Sequence, residues 1–539
     1  MVVLHESIGV HEPQAEADRR RLLAAYALVL LIIGWTKLVS WFAIGPMMAL
    51  LPLCAGFVIL VYLAPPIAAA LFFLGNYFFG NLSMAFYPNI SFLTVITAVL
   101  VCALLFVRWK RGELACFLNL PRRVWLAIAA LALFFLIGYL RALWQVQMLE
   151  IDPEHSRSVF SLFQTSLRGN NEQGHYMFIG HWLSFIAIGA LACLARGELK
   201  IFFASFSVLF VVQLLSIPFS YYPEFFRAIY VECQAMGLGH FQVNRGYLGY
   251  MAALASGLSL TMAHERKKLL RVLFLAWWMV LSVVVFLSAT KGPFFAWILA
   301  TAFVFWRGRR IEKLPYMTLA CLAVMVGALS TISGYSVVPC GTVKKVVEQR
   351  NSIATRIASV QDLLAPYLGL RISEEVRLRT GETHRSTRAE DIVRYQAGET
   401  LPRSPSEYMR AKGGETGGLH DWLVGKGFGG VTRSIDYESG RVYTHAGSLN
   451  LFVDLFIETG FIGLSLFVFS IAVLWFNFRT TVASMTPDKG HLLLLGMSSM
   501  LLVLLVRENI AAETNTEDVV ALMIGLLISA ACAFIRCNR

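Results

Sequence analysis

Fourteen apolar stretches, each close to the thickness of a bilayer, follow one another along this chain. They cover 22–42, 46–63, 65–82, 91–107, 124–143, 177–195 and 199–217, then 246–263, 268–287, 293–306, 314–333, 449–478, 490–506 and 519–535. A helix needs roughly 20 mainly apolar residues to cross hydrocarbon, and somewhat fewer where protein surrounds it. A soluble globule has nowhere to bury such a series. Hydrophobic residues make up 57% of the chain and charged ones 15%, against roughly 25% charged in an ordinary domain. The sequence therefore predicts an all-α polytopic membrane protein with about 14 (12–14) transmembrane helices. The first two stretches are the least regular, because Lys37, Pro46 and Pro52 interrupt them. A kinked pair and a re-entrant hairpin both fit there. The first 18 residues are polar and acidic, and Arg19, Arg20 and Arg21 lead into an apolar run without a small-residue cleavage site. No secretory signal is expected.

Lys and Arg in the short loops set the orientation. With the N-terminus in the cytoplasm, the inner side receives Arg19–Arg21, then Arg108, Lys110, Arg111, Arg122 and Arg123, then Arg196 and Lys200. Arg266, Lys267, Lys268 and Arg271 follow, then Arg307, Arg309, Arg310 and Lys313, then Arg479, Lys489, Arg536 and Arg539. Every second loop is basic and the short loops between are not. The net charge of +12 is thereby accounted for as a topology signal, and no nucleic-acid partner is expected. The predicted location is an inner-membrane type of bilayer, with both termini cytoplasmic. The division is a tail over 1–21, helices 1–11 over 22–333, a periplasmic loop domain over 334–448, helices 12–14 over 449–535 and a tail over 536–539.

The loop 334–448 dominates the outer face; at about 115 residues it is longer than structureless connections usually run. Val343, Val346, Val347, Ile353, Ile357, Val360 and Leu364 recur at helical spacing, with Arg350 among them. This pattern predicts a basic amphipathic helix at the membrane surface, in a mainly helical loop. The middle, around 371–415, is polar and arginine-rich, a composition that orders poorly without a ligand. Nine cysteines show no metal-ligand spacing, and most stand in apolar stretches as small hydrophobes. Cys233 and Cys340 fall in outer loops, where an oxidising compartment would permit a disulfide.

Three residues stand out on the predicted outer face. Arg245 (in VNRGYLGY) and Lys291 (in SATKGPFFAW) each open an apolar segment, and His445 shortly precedes another. A helix start adds free N–H groups and a positive dipole end, so a cation there is set to hold an anion. Interfacial snorkelling is the plain alternative for each cation alone. Upstream of His445, Gly425, Gly427, Gly429 and Gly430 form a glycine-rich turn. It matches G-x-G-x-x-G formally, but no strand precedes it and it lies outside the cytoplasm, so a dinucleotide is not expected. A turn of N–H groups that cradles a phosphate or sugar fits, as does a plain flexible loop. Acidic Glu508, Glu513, Glu517 and Asp518 cluster in the last outer loop and read as a solvated rim.

Taken in order, these pieces resemble the O-antigen ligase and Wzy-type polysaccharide polymerase family of bacterial membrane glycosyltransferases. The matching parts are the Arg245 helix start, the turn Ser288 to Gly292 and Ala354, Thr355, Arg356 and Ile357. The turn Leu423 to Gly429 follows, then His445 with Leu449, Glu458, Gly460, Ile462 and Gly463. The likeness covers about 246–478 well, and its block from His445 to Gly463 is the most specific part. Two positions depart from the pattern: Lys291 stands where arginine is usual, and Ala446 where asparagine is common.

The resemblance implies a GT-C-like fold and transfer of a glycan from an undecaprenyl-diphosphate carrier to a sugar hydroxyl, without a metal or cofactor. Inversion at the anomeric centre is implied as well. Arg245, Lys291 and Arg356 would bind the donor diphosphate, His445 would act as the base, and Gly425, Gly427 and Gly429 would form a glycan or phosphate loop. Implied partners are the lipid-linked donor, an acceptor glycan (lipid-linked or lipid A-core), the bilayer, and a flippase, chain-length regulator or export protein. Polymerisation of lipid-linked repeats is the expectation. Ligation to lipid A-core and lipid-linked sugar transport are the alternatives. A transporter predicts ionisable residues near the bilayer midplane, whereas the segment centres here carry almost no charge.

Overall fold

A computed structural model describes residues 12–41, 46–78, 85–87, 90–148, 179–195, 197–216, 245–264, 268–287 and 291–308. It resumes over 419–425, 427–428, 433–436, 441–444, 451–485, 487–510 and 517–535. Most of these residues are helical. Helices α1 (Glu12–Trp41), α2 (Pro46–Leu63) and α3 (Pro65–Phe78) come first, then a hairpin of β1 (Ala85–Tyr87) and β2 (Ile90–Ser91). Next are α4 (Phe92–Lys110), the short α5 (Ala115–Leu118), α6 (Arg122–Met148), α7 (Ile179–Ala192) and α8 (Glu198–Ser216). Then follow α9 (Arg245–Met262), α10 (Lys268–Leu287), α11 (Lys291–Arg307) and α12 (Leu419–Val424). A second antiparallel hairpin, β3 (Arg433–Asp436) and β4 (Arg441–Thr444), precedes α13 (Leu451–Ala483), α14 (Pro487–Ile510) and α15 (Glu517–Ile535).

Each apolar stretch except 314–333, which lies outside the described residues, falls on one of these helices. Arg122–Arg141 and Leu455–Ala483 are long and apolar enough to cross a membrane by length and composition, and shorter apolar stretches of 10–17 residues accompany them. The irregular start resolves into two helices. Lys37 sits within α1, and Pro46 opens α2, where its missing N–H costs no helical bond. Pro52 is carried inside α2. Of the loop 334–448, the described parts are α12 with Gly425, Gly427 and Phe428 after it, and the β3–β4 hairpin, so the expected amphipathic helix around 343–364 lies outside them. The connection predicted over 507–518 is shorter than that: Glu508 lies on α14, and Glu517 and Asp518 begin α15. Cys233 and Cys340 lie outside the described residues.

Small residues let the helices approach. α7 and α15 cross at Gly189 and Gly525, where a Cβ on either would meet the other helix's backbone, the small-residue crossing common between membrane helices. Some interior hydroxyls reach across to neighbouring helices. Ser207 Oγ donates to the Ala255 carbonyl (3.0 Å) and Ser259 Oγ to the Phe274 carbonyl (2.8 Å). Outward, α6 and α13 leave Leu133, Leu136, Leu140, Val468, Phe469 and Phe476 exposed, an apolar surface that suits lipid.

At one end of the bundle Arg108 corrects its sequence assignment as a loop charge. It lies on α4 and is fully buried. Its Nε and Nη2 donate to the carbonyls of Leu191 (2.8 Å) and Ala192 (2.7 Å) at the end of α7. Nη1 and Nη2 fork onto Glu198 in the first turn of α8 (3.0 and 2.7 Å), and Nη1 also meets Glu113. A cation at one helix's C-terminus and a carboxylate at the next one's N-terminus both agree with the dipoles. This clamp fixes α4, α7 and α8.

α6 and α13 pack side by side and antiparallel. Arg123 near the start of α6 reaches Thr480 near the end of α13 (3.4 Å). The opposite end of the pair holds the turn described next. Gly308, just after α11, packs against His264 after α9, at the end of the bundle where α13 turns into α14. Gly308 and Leu419 thus lie at opposite ends of the helix layer.

Candidate functional site

The turn after α12 is built by fixing a very short helix from outside. Six residues cannot sustain a helix alone, so α12 depends on packing. Trp422 stacks on Phe461 of α13 (centroids 5.2 Å, planes 14° apart) and meets Phe456 edge-on at 6.2 Å. Gly425 ends the helix in the left-handed region (φ 71°), and its N–H donates to the Asp421 carbonyl (2.9 Å). That is the usual reason for glycine just after a helix.

Gly425 is also required for a second reason. It lies backbone to backbone on α13, where Gly460 adopts φ 67° and ψ −172° and kinks the helix. A Cβ on Gly425 would overlap the backbone of Glu458 and Gly460, and one on Gly460 would overlap Leu423 and Val424. The kink breaks the helical ladder, which leaves carbonyls before it without their usual intrahelical partners. One of these, on Glu458, accepts the N–H of Gly427 at 2.7 Å. Beyond the kink, Gly463 leaves room for the Thr459 side chain, which donates back to the Leu455 carbonyl (2.7 Å). Glu458 and Thr459 are both buried.

The other side of the turn rests on α6. Phe428 donates its N–H to the Gly138 carbonyl (3.1 Å) and lays its ring over that glycine, between Phe134 (5.6 Å) and Phe135 (6.2 Å). One helical turn on, Arg141 Nε donates to the Gly425 carbonyl and Nη2 to Asp421 Oδ1, both at 2.9 Å. The segment 421–428 therefore bridges α6 and α13 at one end of the pair.

The expectation that this turn offers its N–H groups to a phosphate meets occupied donors at both described glycines. Gly425 and Gly427 each donate to a protein carbonyl, so what these two do is dock the turn. Gly429, His445 and Arg356 lie outside the described residues. Helices α9 and α11 begin at Arg245 and Lys291, the positions expected for both cations, and those two side chains lie outside the description. The polar run after the turn forms the β3–β4 hairpin, which pairs Arg433 with Thr444 and returns the chain to the residue before His445.

Sequence reasoning passed over Arg141 and Asp421. The available signal was an ionisable residue within an apolar stretch, 124–143, which in a membrane segment points to function. No protein-family profile matches the chain, and no curated protein shows significant similarity to it.

Proposed function

We propose that this protein is an inner-membrane glycosyltransferase that polymerises undecaprenyl-diphosphate-linked oligosaccharide repeats on the periplasmic face. The observation that carries this reading is the meeting of motif positions far apart in sequence. Gly425 and Gly427 pack into backbone contact with Glu458 and Gly460, and all four belong to the part of the chain that resembles the polymerase and ligase family. Helix starts at Arg245 and Lys291 support anion binding by pairing a cation with a positive dipole end. A topology of fourteen spans, both termini inside, is supported by the alternating basic loops. The opposite placement of Gly308 and Leu419, which one crossing between them requires, also supports it.

In this reading the acceptor hydroxyl attacks the anomeric carbon of the donor from the face opposite the diphosphate. The new glycosidic C–O bond forms as the sugar–phosphate C–O bond breaks, and the configuration inverts. His445 takes the hydroxyl proton, and undecaprenyl diphosphate departs with the bonding electron pair. Arg245, Lys291 and Arg356 offset the charge growing on that leaving group. His445→Ala is expected to slow transfer roughly 10²–10⁴-fold, the worth of a general base, with donor still bound. His445→Gln keeps a hydrogen-bond donor but no effective base, so near-wild-type turnover by it would remove the base assignment.

The lipid-linked species that accumulate in a deletion strain test the reading. Single repeat units indicate a polymerase. Finished chains would instead indicate a ligase to lipid A-core, and repeats trapped on the cytoplasmic side would indicate a flippase.

A further inference from the structure

We propose that Arg141 is a positioning residue that clamps the turn 421–428 onto α6 and thereby keeps it seated on the kink of α13 for turnover. The clamp rests partly on the proposed function, because its consequence for turnover does.

The geometry of one guanidinium carries the argument. Its Nη2 bonds the carboxylate of Asp421 within α12, and its Nε bonds the carbonyl of Gly425 just past that helix. These two groups lie one helical turn apart and flank the C-terminus of α12, where a cation also meets the negative dipole end. A planar fork can serve both at once; an ammonium cannot reproduce that fixed geometry. The side chains are largely withdrawn from water, 11% exposed for Arg141 and 23% for Asp421, so the pair is screened less than a surface bridge.

Gly427 bonds α13 and Phe428 bonds α6 immediately after the clamped carbonyl, so the turn is held between the two helices. Releasing it from α6 would leave α13 and the remaining helix contacts in place. It would change how often the turn is seated on the Glu458–Gly460 kink, and so kcat, without touching the cations assigned to donor binding.

Hydrogen exchange in lipid nanodiscs reads the docking directly, because the Gly427 and Phe428 amides are two of its bonds. In Arg141→Ala these amides should exchange about 10–100-fold faster, the effect of losing a charge-assisted hydrogen bond, while amides within α9 stay unchanged. With lipid-linked repeats as substrate, kcat should fall at least about tenfold and donor KM should stay within about twofold, the pattern of lost alignment. Arg141→Lys should recover part of both. Gly138→Leu should reproduce both effects by displacing the Phe428 ring with Arg141 intact. Unchanged exchange in Arg141→Ala would overturn the clamp, and faster exchange with unchanged kcat would overturn its positioning role. A wild-type protein that transfers no glycan would sink the proposed function, and the exchange result would then decide the clamp alone.

Discussion

Two arginines hold this molecule at opposite ends, and they are built differently. Arg108 is sealed from solvent and answered by two carboxylates and two carbonyls, all within 113–198. Arg141 reaches the carboxylate of Asp421 and the carbonyl of Gly425, about 280 residues further along, and keeps some exposure. The first joins neighbouring helices and has the form of a permanent staple. The second joins a helix to a turn carried by a long loop. A fully buried staple between neighbouring helices fixes a fold, whereas a less buried clamp on a distant segment fixes the placement of that segment. Reach and burial therefore separate the two roles better than charge does.

The contrast predicts unequal losses. Arg108→Ala would leave two nearly buried carboxylates facing each other, a defect of roughly 3–5 kcal/mol for a broken buried pair. It should abolish accumulation of folded protein, measured by size-exclusion profile and thermal melting in detergent. If Arg108→Ala folds and melts like the wild type, the staple interpretation fails. Gly460→Ala should come next. Its backbone (φ 67°, ψ −172°) lies in a region that is almost glycine-only and costs another residue on the order of 1–3 kcal/mol, and its Cβ would push α12 off the kink. Activity should be lost while the protein is still recovered folded, and wild-type exchange at 425–428 in this variant would contradict the docking.

His264 sharpens the comparison at the end of the bundle opposite the turn. Burial holds this imidazole down, to about 4 from 6.5, with His491 and Arg271 adding to the lowering and the Leu260 carbonyl opposing it. The folded protein keeps it neutral, so the unfolded chain binds the extra proton. Stability is therefore full above about pH 7 and is lost as the pH falls from 6.5 toward 4, by on the order of 1 kcal/mol at pH 5.5. A melting series over that window, compared with His264→Leu, should show a slope in the wild type that the variant lacks. Smallest of all should be Arg123→Ala, whose 3.4 Å bond to Thr480 is exposed. A change within about 0.5 kcal/mol is expected, although it joins the same two helices as the region around Arg141. A large effect there would mean that the α6–α13 pair itself, and not the turn, is the sensitive element.

Much of the helical order was legible, because apolar runs interrupted by charge and proline leave little freedom about where helices lie. Arg245 and Lys291 could be read as helix starts for the same reason. The glycines could be read as a turn, but not as a seat. That Gly425 faces Gly460 depends on a kink inside α13, and no local pattern announces which backbone will press on which. Arg141 was hidden because it sits in an otherwise apolar run and its partners lie about 280 residues away. Arg108 misled in the opposite direction: a basic residue at a segment's end looks like a loop charge until the carboxylates at 113 and 198 are seen around it.

The most direct test of the central claim uses purified protein in proteoliposomes, supplied with undecaprenyl-diphosphate-linked repeat units, without added metal and with chelator. The account predicts a ladder of longer lipid-linked glycans and release of undecaprenyl diphosphate, both lost in His445→Ala. Intact donor that is merely redistributed between leaflets, or that persists unchanged beside active controls, would contradict it.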